Sequence, residues 1–177
     1  MKFDIHDENE NGRERFILGS FGATKLFVFG VNPSKANKEK SDTTITKVET
    51  FSRNLGFQGF VMLNIYPQRA TNPDELNLDP NDNLVGRNTK IIRSQIQNGS
   101  QPQIWAAWGN LIRSRNYLWD CLSNIAEELK QFNPIWKHCG QPTKLGHPRH
   151  PSRLAYKEEF SKFDIFEYLK EGRIFKK

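Results

Sequence analysis

Cysteine is almost missing from this chain: Cys121 and Cys139 are the only two in 177 residues. Two cysteines do not make a disulfide framework, and they cannot hold a four-cysteine iron–sulfur cluster. Long apolar runs are missing as well. No stretch approaches the roughly 18 apolar residues of a membrane span. The amino terminus, MKFDIHDENENGRERF, lacks the apolar centre of a signal peptide. The expected compartment is the cytoplasm, with no membrane partner. No internal repeat, low-complexity tract or linker divides the sequence, so residues 1–177 are expected to form a single domain. Residues 1–13 are expected to be flexible or bound at an edge. The apolar share is 36% and the charged share 26%, which suits a soluble protein with a real core.

The most informative absence is of acids in two intervals. Between Asp82 and Asp120 there is no Asp or Glu, while Arg87, Lys90, Arg93, Arg113 and Arg115 are present. From Asn133 to Lys157 acids are absent again, and Lys137, Lys144, Arg149, Arg153 and Lys157 stand beside His138, His147 and His150. With a net charge of +6, these two blocks can form either a solvated basic surface or one patch that attracts polyanions.

What is present has a regular order. Arg15 to Ser20 reads as a first strand. LFVF at residues 26–29 is a short run of β-formers, of the kind buried on both faces of a sheet. Gly30 ends it, and Asn32-Pro33 follows, either as plain turn chemistry or as a ligand edge. Ile45, Val48, Phe51 and Leu55 recur at helical spacing, with Asp42, Thr43 and Thr44 placed to cap them. FVMLNI is a second buried run, and residues 66–82 form a long polar loop. A helix over about 85–97 follows, then the strand IWAAW, a helix over 111–130, a short strand at 133–139, and a terminal helix from roughly 153 to 169. Strand and helix alternate. That pattern predicts an α/β fold, a three-layer α/β/α sandwich around a mainly parallel four-stranded sheet. Right-handed crossovers then bring Asn32, Asn64, Gly109 and His150 to one sheet edge.

Four segments at that edge resemble motifs of the uracil-DNA glycosylase superfamily. GVNPSK at residues 30–35 is similar to that superfamily's GQDPYH or GINPG, MLN ending at Asn64 to its LLLN strand, WAAWG ending at Gly109 to FLLWG, and HPSRLA at residues 150–155 to HPSPLS. A second resemblance covers nearly the whole chain. NPSKA, DTTI, LNIYPQRATNP, AWG and GHPRHP match, in order, the pattern of domain of unknown function 1643. That pattern implies no activity by itself, so the functional expectation rests on the superfamily.

The superfamily resemblance implies cleavage of an N-glycosidic bond, with an anionic base departing from an oxocarbenium-like sugar. Asn32 takes the place of the residue that handles the water. It can orient a water but is no strong base. His150 takes the place of the donor to a base carbonyl, and Asn32 and His150 form the expected catalytic pair. Gly30, Asn64, Trp108 and Ser152 form the expected substrate-binding set. Asn64 either reads a base edge or is a satisfied strand-end amide. Phe29, Tyr66, Trp105 and Trp108 are all candidates for the stacking aromatic, and strand alternation does not choose among them. Arg149, Arg153 and Leu154 are expected at the nucleic acid, Leu154 either as a wedge beside a flipped base or as a first-turn core residue. Ser34 stands where the superfamily often has an aromatic, so the usual gate against a 5-methyl group is missing. Asp42 is the nearest carboxylate in sequence and can supply a base, with helix capping as the favoured alternative. No cofactor and no metal is expected: the spacing of His138, Cys139, His147 and His150 fits no common zinc pattern. The expected partner is nucleic acid, DNA ahead of RNA, or a nucleotide, bound by a monomer. The alternative is a binding module of the same shape that performs no chemistry.

Overall fold

The four apolar runs become the four central strands of one sheet. The computed structural model describes residues 3–33, 41–97 and 101–174. In chain order the strands are β1 (Ile5–Glu8), β2 (Arg15–Ser20), β3 (Lys25–Gly30), β4 (Gly59–Asn64), β5 (Gln103–Ala106), β6 (Ile135–Cys139) and β7 (Phe160–Lys162). The helices are α1 (Thr43–Asn54), α2 (Asp82–Ile96), α3 (Tyr117–Leu129) and α4 (Ile165–Ile174). The chain is therefore α/β, with a mixed sheet in the order β1-β2-β4-β3-β5-β6-β7.

β4, β3, β5 and β6 are mutually parallel, as the sequence predicts. The sheet is nonetheless seven-stranded rather than four-stranded. β2 runs antiparallel to β4, β1 antiparallel to β2, and β7 antiparallel to β6. These flanking strands cover edges that the parallel core would otherwise expose. Residues 5–8 are thus edge-bound.

The terminal helix is also shorter than its sequence pattern predicts. Pro151–Arg153 forms only a 3₁₀ turn, which ends where Leu154 takes up extended backbone. Phe160 then packs edge-on against Phe51 and Trp105, which holds the chain extended as β7. Asp164 restarts the helix by accepting from the amides of Phe166 and Glu167 at 3.1 and 3.0 Å. Likewise the expected helix over 111–130 splits into a 3₁₀ turn, Gly109–Arg113, and α3.

Helices lie on both faces. Ile45, Val48 and Phe51 of α1 pack with Leu26, Val28, Phe60 and Met62 on one face. Side chains of α2, α3 and α4 pack with Phe27, Phe29, Val61 and Leu63 on the other. The alternation of strand side chains divides the two sets. After β3 the chain leaves for the α1 face, and after β4 it leaves for the α2 face. Where neighbouring strands send their connections to opposite faces, a crevice opens at their carboxyl ends.

Candidate functional site

A cavity of about 320 Å³ occupies that crevice. Gly30, Asn32, Met62, Ala70, Leu111 and His150 line it, with Arg15 and the start of α1 from Asp42 to Ile45. The strand ends supply the floor. Gly30 keeps this floor open: a Cβ would meet Met62 Cε at 2.8 Å and Asn64 Oδ1 at 3.3 Å, so both side chains would have to shift. Asn32 Nδ2 donates to Ala70 O at 2.8 Å and to Pro33 O at 3.3 Å, tying the β3 loop to the long loop after β4. Its Oδ1 makes no hydrogen bond among the described residues. Ser34, and with it most of the NPSKA segment, lies outside the described residues.

His150 reaches the cavity from the other side. Gly109 makes this possible. It sits at φ +62, and a Cβ on it would come within 3.2 Å of His150 Cβ. Its amide donates to Pro148 O at 2.9 Å. The glycine that ends β5's extension thus seats the His150 loop. His150 Nδ1 lies 2.8 Å from Ser152 Oγ and accepts from the Ser152 amide at 3.4 Å. An Nδ1 that accepts leaves the proton on Nε2. Burial pushes the His150 pKa down to about 4, against a pull upward from Asp42 and a further push down from Arg153. His150 is therefore a neutral Nε2–H donor at physiological pH.

Asn64 is wholly buried behind Gly30 and Met62, and neither Nδ2 nor Oδ1 has a partner among the described residues. Its backbone is held firmly: Asn88 of α2 donates to the carbonyls of Asn64 and Ile65 at 2.9 and 3.3 Å. A buried, unpaired amide costs about 1–3 kcal/mol for each unmet group.

Of the charged residues of this cavity, Arg15 is not assigned to it by the sequence. Arg15 is 1% exposed at the start of β2. Because β2 is antiparallel, it begins at the edge where β3 and β4 end. A search confined to the loops that follow strands passes it by. Asp42 accepts from the Ile45 amide at 2.9 Å as the cap of α1, the role expected for it, and it also lines the cavity.

A second cavity, of about 570 Å³, adjoins the first. Arg149, Ser152, Arg153, Asn110 and Thr143 line it, and Leu111 and His150 border both cavities. Among the described residues no acidic side chain lines it. Arg149 Nε donates to Gln141 O at 2.6 Å. The other basic block is largely engaged elsewhere. Arg87 pairs with Asp7, Arg93 pairs with Glu128, and Arg115 donates to the carbonyls of Asp74, Leu76 and Asn77. This last set, with Tyr117 Oη donating to Asn77 O, braces the loop after β4.

Other expected site residues lie elsewhere. Trp108 touches the second cavity, but its indole is fully buried among Trp136, Phe163 and Tyr168, and its Nε1 donates to Tyr168 Oη at 3.0 Å. Phe29, Tyr66 and Trp105 are fully buried too, and no aromatic lines the first cavity. Leu154 is 3% exposed and packs in the α1-side core, so the structure places it as a core residue and not as an exposed wedge. Leu111, at 39% exposure, is the leucine that faces solvent at the cavities. His138, His147 and His150 take separate partners, in Gly140 O, Tyr168 Oη and Ser152 Oγ. Among the described residues no cluster of three or more His, Cys, Asp or Glu forms a metal site. Nor is any described helix long and apolar enough to cross a membrane.

Compared with protein families, residues 15–152 match the model described as protein of unknown function (DUF1643). The chain belongs to that family. The matched stretch begins at Arg15 and ends at Ser152, so it spans both walls of the first cavity. No curated protein and no solved structure matches the chain.

Proposed function

We propose that this DUF1643 protein recognises a base of nucleic acid and hydrolyses the N-glycosidic bond of a modified or damaged base. The carrying observation is that Asn32 and His150 line one cavity, with the unpaired amide of Asn64 buried behind its glycine floor. A neutral Nε2–H donor suits a base oxygen that gains charge as the bond breaks. The Asn64 amide both donates and accepts, which suits a mixed base edge. Asn32 Oδ1 is left to orient a water. Arg149, Arg153 and Ser152 then meet the flanking phosphates in the second cavity, whose lining among the described residues is basic and free of acids.

A binding module without chemistry is the second reading, and one observation favours it. Among the described residues Asp42 is the only carboxylate lining the first cavity, and one of its oxygens caps α1. No other described carboxylate stands there as a general base.

The test is a panel of single-stranded oligonucleotides carrying uracil, hypoxanthine, xanthine or oxidised bases, followed for abasic-site formation over many hours. The enzyme reading expects slow cleavage of at least one member. His150→Ala should reduce it roughly 10²–10³-fold, as loss of one preorganised donor does. Asn32→Ala should lower the rate with binding nearly intact. Cleavage unchanged in His150→Ala refutes the catalytic assignment. Binding without cleavage of any member establishes the second reading.

A further inference from the structure

We propose that Lys47, on the second turn of α1, is the positioning residue that holds His150 in place at the first cavity. Its consequence for catalysis rests on the proposed function, whereas its effect on the His150 ring rests on the fold alone.

His150 and Leu154 bracket one short turn. His150 caps the 3₁₀ turn Pro151–Arg153, and Leu154 follows it. The Arg153 amide donates to His150 O at 2.9 Å and the Leu154 amide to Pro151 O at 3.1 Å, so the five residues form one closed piece. Lys47 grips the far end of that piece. Its Nζ donates to Leu154 O, and the same ammonium lies 5.3 Å from the centre of the Tyr156 ring. Phe51, four residues on along the same helix face, meets the Tyr156 ring with centroids 5.9 Å apart. Leu154 itself is buried with Val48 and Phe51. An ammonium has only donors, and a charged donor makes a stronger bond to a carbonyl than a neutral one does.

The same helix supplies another wall of the cavity, from Asp42 to Ile45. Lys47 therefore links the part of α1 that lines the cavity to the turn that carries His150. Ser152 orients the ring at 2.8 Å, but Ser152 lies inside the turn and fixes the ring only relative to the turn. Gly109 holds the loop from the β5 side, through Pro148 O. Lys47 holds it from the α1 side. Asp42 and Arg153 are the charges that act on the ring, and Arg15 and Arg149 are the other charges on the two cavities that His150 borders. A change at Lys47 thus reaches His150 through position. A donor displaced by about 1 Å can cost a hundredfold in rate.

The experiment is nitrogen NMR of protein carrying isotope-labelled histidine, through a pH titration. Wild type, Lys47→Met and Lys47→Arg are compared, with folding checked by circular dichroism. In wild type the His150 ring should carry its proton on Nε2 alone. In Lys47→Met it should show mixed tautomers and a titration midpoint at least about one pH unit higher, because a loosened turn admits water to the ring. Lys47→Arg keeps a cationic donor and should keep the wild-type ring signals. His147, bound to Tyr168 Oη, should not move in either variant. On the oligonucleotide panel Lys47→Met should cleave about tenfold to a hundredfold more slowly with affinity within about threefold of wild type, and Lys47→Arg should restore the rate. Unchanged His150 signals in folded Lys47→Met, equal loss of them in Lys47→Arg, or an equal shift of His147 overturns the proposal. A displaced ring with a wild-type rate overturns its catalytic part. Should Lys47→Met fail to fold, Tyr156→Leu removes the ring beside the ammonium and is read in its place, with unchanged His150 signals again overturning the proposal. Cleavage of no panel member by wild type overturns the hydrolysis reading instead, and the ring signals still decide the role of Lys47.

Discussion

Buried polar groups differ between the core around Tyr168 and the wall of the first cavity. On the face covered by α2, α3 and α4, Trp108, Tyr168 and His147 are joined to one another, while His147 Nε2 and Asn88 Oδ1 have no partner among the described residues. Trp108 Nε1 donates to Tyr168 Oη, which in turn lies 2.8 Å from His147 Nδ1, with Trp119 stacked on Tyr168. On the α1 face, Asn64 is buried unpaired, and Arg15 is buried at the wall of a cavity. His147 and His150 show the contrast within one loop. Both are held below their ordinary pKa chiefly by burial, but His147 serves the core and His150 borders open space. A polar group joined to its neighbours stabilises the fold. A polar group left unjoined beside a cavity costs stability and is explained by what it binds.

Mutations can break this comparison, and the largest effect is expected on the connected face. Trp108→Ala removes a fully buried indole and should cost about 3–5 kcal/mol by urea denaturation. Tyr168→Phe keeps the ring but strips Trp108 Nε1 and His147 Nδ1 of their partner. It should cost about 2–4 kcal/mol, more than a single exposed hydroxyl would. A loss below about 0.5 kcal/mol would mean that the network does not stabilise the fold.

Acid should act through the histidines. The His150 pKa is lowered from 6.5 to about 4. The unfolded chain therefore takes up the proton first as pH falls. Stability is full above about pH 6.5 and drops between there and pH 4. Between pH 7 and pH 5 the His150 part should be about 1–2 kcal/mol. His147 adds to the same trend. His150→Gln should flatten the profile in part, and an unchanged slope would contradict the burial of a neutral His150.

The smallest effect carries the opposite sign. Asn64→Leu replaces an unpaired buried amide with an apolar side chain of similar volume. It should raise stability by about 1 kcal/mol. Destabilisation by more than about 1 kcal/mol would show that Asn64 is satisfied in the fold.

Much of the frame is legible in the sequence, because the signals are local. The runs at 26–29, 60–63 and 104–108 are each apolar and are followed by Gly or Asn, and they supply the buried parallel strands β3, β4 and β5. The meeting of Asn32 with His150 follows from alternation and handedness alone. What escapes depends on distant packing. Phe160 forms a strand because Phe51 and Trp105 wait for it, although the surrounding pattern reads as a helix. Arg15 enters the site through an antiparallel pairing that no local pattern announces. Trp108 sits beside a motif glycine, yet its indole turns into the core. Leu154 follows HPS and is buried, while Leu111, in an unremarked turn, borders both cavities.

The proposed function turns on the buried polar groups at the first cavity, with the unpaired Asn64 amide behind its floor, binding a base. Its most direct test is amide and side-chain NMR of the labelled protein during titration with a short uracil-containing single strand. The account predicts that the Asn64 side-chain amide, the Gly30 and Gly109 amides and the His150 ring shift together and saturably. Shifts clustered instead at the opposite end of β6, around Trp136, Lys162 and Phe166 where another cavity opens, would contradict it.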